Sequence, residues 1–113
     1  MDETNTLPII DWDLGKKLAG NDMILARDIL AMLIKNLPSD LAKITQLCTE
    51  KNYTELRQQI HTLRGAVVYC GTPRLKAVLI NMETQLKSSI TDTLPELLNQ
   101  LRTEVNNLNK AYK

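Results

Sequence analysis

The one histidine of the chain, His61, stands in the run HTLRGAVVYCG, residues 61–71. Arg64 follows one turn on and Gly65 directly after it, while Leu63, Ala66, Val67 and Val68 add only apolar side chains. An imidazole can act as a base, a metal ligand or a nucleophile. Hydrolytic or general-base work needs a nucleophile or an orienting carboxylate beside the ring. The sequence shows no such partner, since Glu55 is six residues back and on another face. One histidine with two separated cysteines, Cys48 and Cys70, lacks the spacing of a zinc set, so no metal is expected. A phosphoryl acceptor asks for less: an exposed ring nitrogen, a nearby cation and clearance, because the protein that docks brings the metal and the remaining chemistry.

The helical positions around His61 suit that chemistry. At about 100° per residue, Thr54, Arg57, Gly65 and Val68 fall within about 40° of His61, and Arg64 at about 60°. Leu56, Ile60, Leu63 and Val67 centre more than about 100° away. The histidine therefore lies on the outward flank of a core helix. Glycine at position 65 costs about 1 kcal/mol of helix stability relative to alanine, but its bare backbone lets a partner approach the ring. Arg64 can meet negative charge on whatever the ring carries. Gln58, one turn before His61, could hydrogen-bond the ring or phosphoryl oxygens. Arg57, Gln58, Gly65 and Val68 form the expected docking surface. Arg74 and Lys76 either extend a positive rim or are simply solvated.

The elements that must hold this segment read as helices throughout. Residues 1–10 read as a linker or tail, and 11–113 as the domain. A short helix over 11–18 is expected to lay Trp12, Leu14 and Leu18 on that domain. With Asn21 as cap, Met23, Ile24, Leu30, Leu33, Ile34 and Leu37 follow at helical spacing. Pro38 should kink or split this helix, yet Leu41, Ile44, Leu47 and Cys48 resume its stripe, so one long bent helix spans about 22–50. Asn52 caps the histidine segment, with Glu55 as its capping-box partner. That segment buries Leu56, Ile60, Leu63, Val67 and Cys70, and Gly71 ends it in the left-handed conformation. Thr72 and Pro73 start the next helix, with Leu75, Val78, Leu79, Met82 and Leu86 inside. After SSITDT, a last helix carries Leu94, Leu97, Leu98, Leu101, Val105 and Leu108 to about 112, with Pro95 tolerated in its first turn. With no period-two stretch, the pattern predicts an all-α, antiparallel up-down four-helix bundle with a short extra N-terminal helix.

Composition sets the outer bounds. The 113 residues suffice for one core without staples. Apolar residues make up 43% and charged residues 24%, which argues for a folded globular chain. With 14 Lys and Arg against 13 Asp and Glu, the chain lacks the basic excess of a nucleic-acid binder. The acidic start MDETNTLPIIDWD has no signal-peptide character. The most apolar window, MILARDILAMLIKNL, is interrupted by Arg27, Asp28 and Lys35, so neither a membrane span nor direct membrane contact is expected. Cys48 and Cys70 read as buried free thiols of a reducing compartment, and Trp12 and Tyr69 as packing residues.

With these residues in view, HTLRGAVVYCG resembles the signature of histidine-containing phosphotransfer (HPt) domains, roughly H-x-L-K-G-[SA]-x-G-x-x-G. His61, Leu63, Gly65, Ala66 and Gly71 match it, and Arg64 stands where lysine is commonest. GTPRLK after the histidine helix and LAMLIKNLPSDL before it are similar to the C-terminal HPt domains of BarA/GacS-like hybrid sensor kinases. The resemblance covers about residues 11–112. Val68 departs from it, since the family often has glycine there. The resemblance implies that Nε2 of His61 takes a phosphoryl group from the aspartyl phosphate of a receiver domain and passes it to another receiver's aspartate. Arg64 would stabilise the phosphoryl charge. The partner receiver would bring Mg²⁺; the domain itself would bind no cofactor and no ATP. The loose acidic first ten residues favour a domain cut from a longer sensor kinase, itself anchored in the inner membrane, over one standing alone. A mixed-charge surface with no dimer seam favours a monomer, and a cytoplasmic location is expected. Two other readings compete. A kinase dimerisation domain carries H-E-L-R-[TN]-P, whereas this chain has Thr62 after the histidine and Ala66 at the proline position. A helical adaptor would use His61 for no chemistry at all.

Overall fold

Side-chain caps begin the first three helices, and proline stands in the first turn of the last two. The computed structural model describes residues 6–112 and contains five helices: α1 Trp12–Leu18, α2 Met23–Thr49, α3 Tyr53–Val67, α4 Pro73–Lys87 and α5 Leu94–Ala111. Asp11 Oδ1 accepts the Leu14 N–H at 3.0 Å to start α1. Asp22, not Asn21, caps α2, accepting the Leu25 N–H at 3.1 Å. Asn21 instead takes the left-handed conformation, φ 66°, which asparagine tolerates better than most residues and which turns the chain between α1 and α2. Asn52 caps α3 by accepting the Glu55 N–H at 3.4 Å. Its own N–H goes to Leu47 O, at 3.0 Å, and so reaches back to α2. Thr72 stands at the cap position of α4 with Pro73 in its first turn, but no cap hydrogen bond forms from its hydroxyl.

The long helix α2 runs unbroken through Pro38, which faces solvent. At about 1.5 Å per residue, its 27 residues span the molecule's longest dimension of 40 Å. Packing then follows chain order: α2 on α3, α3 on α4, α4 on α5, and α5 back on α2, with α1 laid against α2. Short connections between successive neighbours make this an up-and-down bundle. The expected stripes of α3 and α4 are core: Leu56, Ile60, Leu63 and Val67 meet Leu75, Val78, Leu79 and Met82, all buried. In α2, Leu30, Leu33, Leu37, Ile44 and Leu47 are buried, whereas Ile24, expected in the stripe, is 75% exposed. Leu97, Leu101, Val105 and Leu108 of α5 complete the core. Among the described residues no helix is long and apolar enough to cross a membrane.

The beginning of the chain departs from expectation. Of the leading residues 1–10, residues 1–5 lie outside the described residues, whereas Ile9 and Ile10 pack partly buried against the core. Trp12, Leu14 and Leu18 are not laid on the domain: they are 36%, 39% and 41% exposed, and α1 buries Gly15 and Ala19 instead. A backbone contact sets this face. The Asp11 N–H donates to Gly71 O at 2.8 Å, which draws α1 against the turn between α3 and α4.

Gly71 keeps the left-handed conformation, φ 63°, although it follows a tightened last turn rather than ending α3 directly. A Cβ there would stand 2.6 Å from Asp11 O and 2.8 Å from Gly15 N, inside backbone with no room to give. Gly71→Ala is therefore expected to destabilise the domain by about 2 kcal/mol or more, read by thermal or denaturant unfolding. A wild-type melt for that variant would contradict this account of the turn.

Candidate functional site

The site is built by two facing helices. Helix α3 turns its apolar stripe inward and leaves the His61 side chain 69% exposed on its flank. From α4, Glu83 reaches toward it out of the buried stripe, between Leu79, Met82 and Leu86, with only 3% of its side chain exposed. Its two carboxylate oxygens take two donors that α3 presents one turn apart. His61 Nδ1 lies 2.6 Å from Oε2, and the Arg64 guanidinium donates directly to Oε1. Lys87, one turn along α4, stands 4.0 Å from Oε2.

Burial on its own would raise the Glu83 carboxyl. The hydrogen bonds from Arg64 and His61, with the nearby charge of Lys87, outweigh it and hold the group below its ordinary 4.5. Glu83 is thus a carboxylate at neutral pH. Facing a carboxylate, the neutral imidazole carries its proton on Nδ1 and donates it to Oε2. The lone pair of Nε2 is then directed away from Glu83, on an exposed ring. This is the carboxylate that the sequence reading did not find. Its signal was a charged residue inside the apolar stripe of α4, where an acid must be paired by a neighbouring helix. Glu104 in α5 obeys the same rule: it is buried and accepts from Arg74 Nη2 at 2.9 Å.

The other expected site residues fall as follows. Arg64 is half-buried with its charge engaged by Glu83, rather than a free cation ahead of the ring. Arg57, Gln58 and Gly65 are exposed on the His61 side of α3. A Cβ built at Gly65 meets nothing within 4 Å, so the glycine is not required by helix packing. Val68 is half-buried. Arg74 belongs to the α4–α5 pair and not to a rim around His61, while Lys76 is solvated. Tyr69 does not pack but stands 60% exposed, and Trp12 lies beneath the Arg27 guanidinium, 6.0 Å from its ring centre. Cys70 is buried as expected and burial pushes its thiol up to about 11, so it is no nucleophile at neutral pH. An apolar recess of about 320 Å³ between α2 and α3, bounded by Leu33, Leu63 and Ala66, is rimmed by Asp28 and Asp40, an unsuitable setting for a phosphate.

An exposed histidine, backed by a buried carboxylate and followed by a glycine with open space above it, can be compared with known proteins. The family model described as "Hpt domain" matches residues 28–111. The chain belongs to the Hpt domain family. It is 38% identical over 81 residues to the sensor histidine kinase GacS of Pseudomonas protegens, covering 72% of this chain and 9% of that protein. It is 37% identical over 101 residues to the signal transduction histidine-protein kinase BarA of Escherichia coli K12, covering 88% of this chain and 11% of that protein. The chain thus spans about a tenth of the length of these curated relatives. The fold agrees with a crystal structure of the HPT domain of a hybrid histidine kinase from Shewanella, with TM-score 0.81 and 30% identity over 92% of this chain and 90% of that one. Histidine-containing phosphotransfer in two-component signalling is the work of Hpt domains.

Proposed function

We propose that this Hpt domain is a phosphoryl carrier in a multi-step phosphorelay, taking phosphate on Nε2 of His61 from a receiver-domain aspartyl phosphate and passing it to the aspartate of another receiver. The observation that carries the reading is the hydrogen bond between His61 Nδ1 and the buried Glu83 carboxylate. In the neutral ring it makes Nε2 the nitrogen with the free lone pair, on an exposed side chain. In the forward step the Nε2 lone pair forms the N–P bond while the P–O bond to the receiver's aspartate breaks, and its electron pair stays on the departing carboxylate. The phosphorylated ring, still protonated on Nδ1, is cationic, and Glu83 stabilises that charge. In the onward step neutral imidazole leaves, a far better leaving group than imidazolate. The receiver would bring the acceptor aspartate, Mg²⁺ and its own cations. This domain contributes the nucleophile and its tautomer, with Arg64 holding the Glu83 carboxylate that faces the ring and lending its positive charge to the site.

In this reading the domain works as a monomer in the cytoplasm, has no ATP site and binds no nucleic acid. Incubation with a panel of phosphorylated receivers, followed by label, tests it. Acid-labile, base-stable phosphate gained from a receiver and never from ATP alone is the expected result. Label from a kinase domain and ATP would favour a dimerisation-type histidine, and no label from either would favour an adaptor.

Gly65 gives a sharper test of docking. Because open space surrounds it, Gly65→Ala should leave stability unchanged or raise it by up to about 1 kcal/mol. Gly65→Gln should fold normally but place a long side chain over the approach to His61. A misplacement of about 1 Å in a positioned reaction costs on the order of a hundredfold, so transfer at least about tenfold slower is expected. Normal transfer by the Gln variant, measured beside its melting curve, would show that clearance is not the function of this glycine.

A further inference from the structure

Helix α4 is held by polar pairs on two opposite faces. Toward α3, Glu83 takes His61 and Arg64. Toward α5, the Arg74 guanidinium donates through Nη2 to Glu104 Oε2 at 2.9 Å, and the other Glu104 oxygen faces Asn107 Nδ2 at 3.5 Å. This second pair is nearly closed to solvent, with 18% of the Arg74 side chain and 7% of the Glu104 side chain exposed. Arg74 and Glu83 are nine residues apart, which at about 100° per residue is about two and a half turns. One therefore points to α5 where the other points to α3. The transfer chemistry uses neither Arg74 nor Glu104. Nor does stability call for them, because an apolar pair of similar volume commonly fills such an interface as well or better.

What the pair supplies is direction. The rest of the inward face of α4 is aliphatic, with Leu75, Val78, Leu79, Met82 and Leu86 buried. Such side chains repack against one another at small cost, so they hold the helix down without fixing its rotation. A side-chain end lies about 6 Å from a helix axis, so a rotation of about 10° carries it about 1 Å. A displacement of that size in a positioned group costs on the order of a hundredfold in rate. A guanidinium–carboxylate bond resists such a rotation because its geometry is directional. Helix α5 is itself seated on α2, so the pair ties α4 to a part of the bundle that does not carry the histidine. We infer that Arg74 and Glu104 are positioning residues for phosphoryl transfer at His61: their pair sets the rotation of α4 and thereby aims Glu83 at Nδ1. This inference rests on the proposed role of Glu83 in holding the ring proton on Nδ1.

The experiment replaces the pair by an apolar one, Arg74→Met with Glu104→Leu. It is compared with Arg74→Lys, which keeps the charge, and with the unaltered domain. The double variant should melt close to the unaltered domain or above it. Histidine ¹⁵N NMR of the unphosphorylated protein, on the alkaline side where the ring is neutral, reads the ratio of Nδ1–H to Nε2–H tautomers. In the double variant that ratio should fall about tenfold, the lower end of the bias given by a hydrogen bond to a charged group. Arg74→Lys should recover most of it. In transfer from phosphorylated receivers the maximal rate should fall at least about tenfold. The half-saturating receiver concentration should stay within about twofold, since the outward face of α3 is unaltered. Should the double variant not fold, Glu104→Gln, which keeps the shape and one acceptor but loses the charge, takes its place with the same expected direction. An unchanged tautomer ratio in a folded variant overturns the inference, whatever happens to its melting temperature. The ratio needs no receiver, so the two readings separate. If it falls while no receiver labels the unaltered domain, the positioning role holds and the relay fails. If receivers label the unaltered domain and the ratio does not move, the relay holds and the positioning role fails.

Discussion

His61→Gln is expected to abolish phosphate uptake from receivers while the domain stays folded. The imidazole exposes most of its surface, so its removal forfeits little packing. Its Nδ1–H is nevertheless one of the donors that satisfy a buried carboxylate. Glutamine brings an amide N–H of its own to that side of the helix, so its melting temperature should remain close to wild type. His61→Ala supplies no donor and leaves Glu83 Oε2 with Lys87 at 4.0 Å as its next partner. Depriving a buried carboxylate of a donor costs about 1–3 kcal/mol, so the alanine variant should melt measurably lower than the glutamine one. Both should be free of label. Retained labelling in either, followed from a phosphorylated receiver, would remove His61 from the carrier role.

The second large effect is expected at Glu83. Glu83→Ala strips the ring of its orienting acceptor and Arg64 of its counter-charge. The tautomer is then free to exchange, Nε2 spends part of its time protonated, and the phosphorylated ring loses its compensating charge. Removing the equivalent orienting carboxylate in hydrolase triads costs about 10⁴ in rate. Here transfer slowed by between about tenfold and that bound is expected. Glu83→Gln keeps an oxygen that can accept from Nδ1 but loses the charge, so it should fall between the alanine variant and wild type. A structural role alone would lower stability without this ordering in rate.

The same residue makes a pH prediction. The folded state holds Glu83 below the ordinary 4.5, so it binds that proton less readily than the unfolded chain does. The stabilisation is complete at neutral pH. It disappears as the solution is acidified past the ordinary value and through the depressed folded one. The stability gap between wild type and Glu83→Ala should therefore be widest near neutrality and shrink at low pH, in denaturant melts across that range. A gap that widens on acidification would contradict the assignment.

Most of this fold could be read from where leucine, isoleucine and valine recur. The stripes of α3, α4 and α5 are the buried residues expected, because a long amphipathic helix has only one apolar face to bury. Helix α1 could not be read that way. At seven residues it has less than two turns of pattern, and its orientation comes from a close backbone approach between Gly15 and Gly71 rather than from its leucines. At the start of α2 asparagine and aspartate compete as caps, and the left-handed φ of Asn21 together with the Asp22 bond to the Leu25 N–H decides between them. At the site, the exposed face of His61 and the clearance at Gly65 were legible from helical geometry. Glu83 was not, since a search along the histidine's own helix cannot find a partner 22 residues away. Arg64 followed from the same omission: with no carboxylate in view, its guanidinium was assigned to the phosphate alone.

The central claim concerns one nitrogen. In the proposed mechanism Glu83 holds the proton on Nδ1 so that Nε2 of His61 carries the phosphoryl group. The direct test is to load the domain from a phosphorylated receiver and record ³¹P and ¹⁵N NMR spectra with histidine labelled. The account predicts phosphorus bonded to Nε2 of His61, with Nδ1 still protonated. Phosphate on Nδ1, or on any residue other than His61, would contradict it.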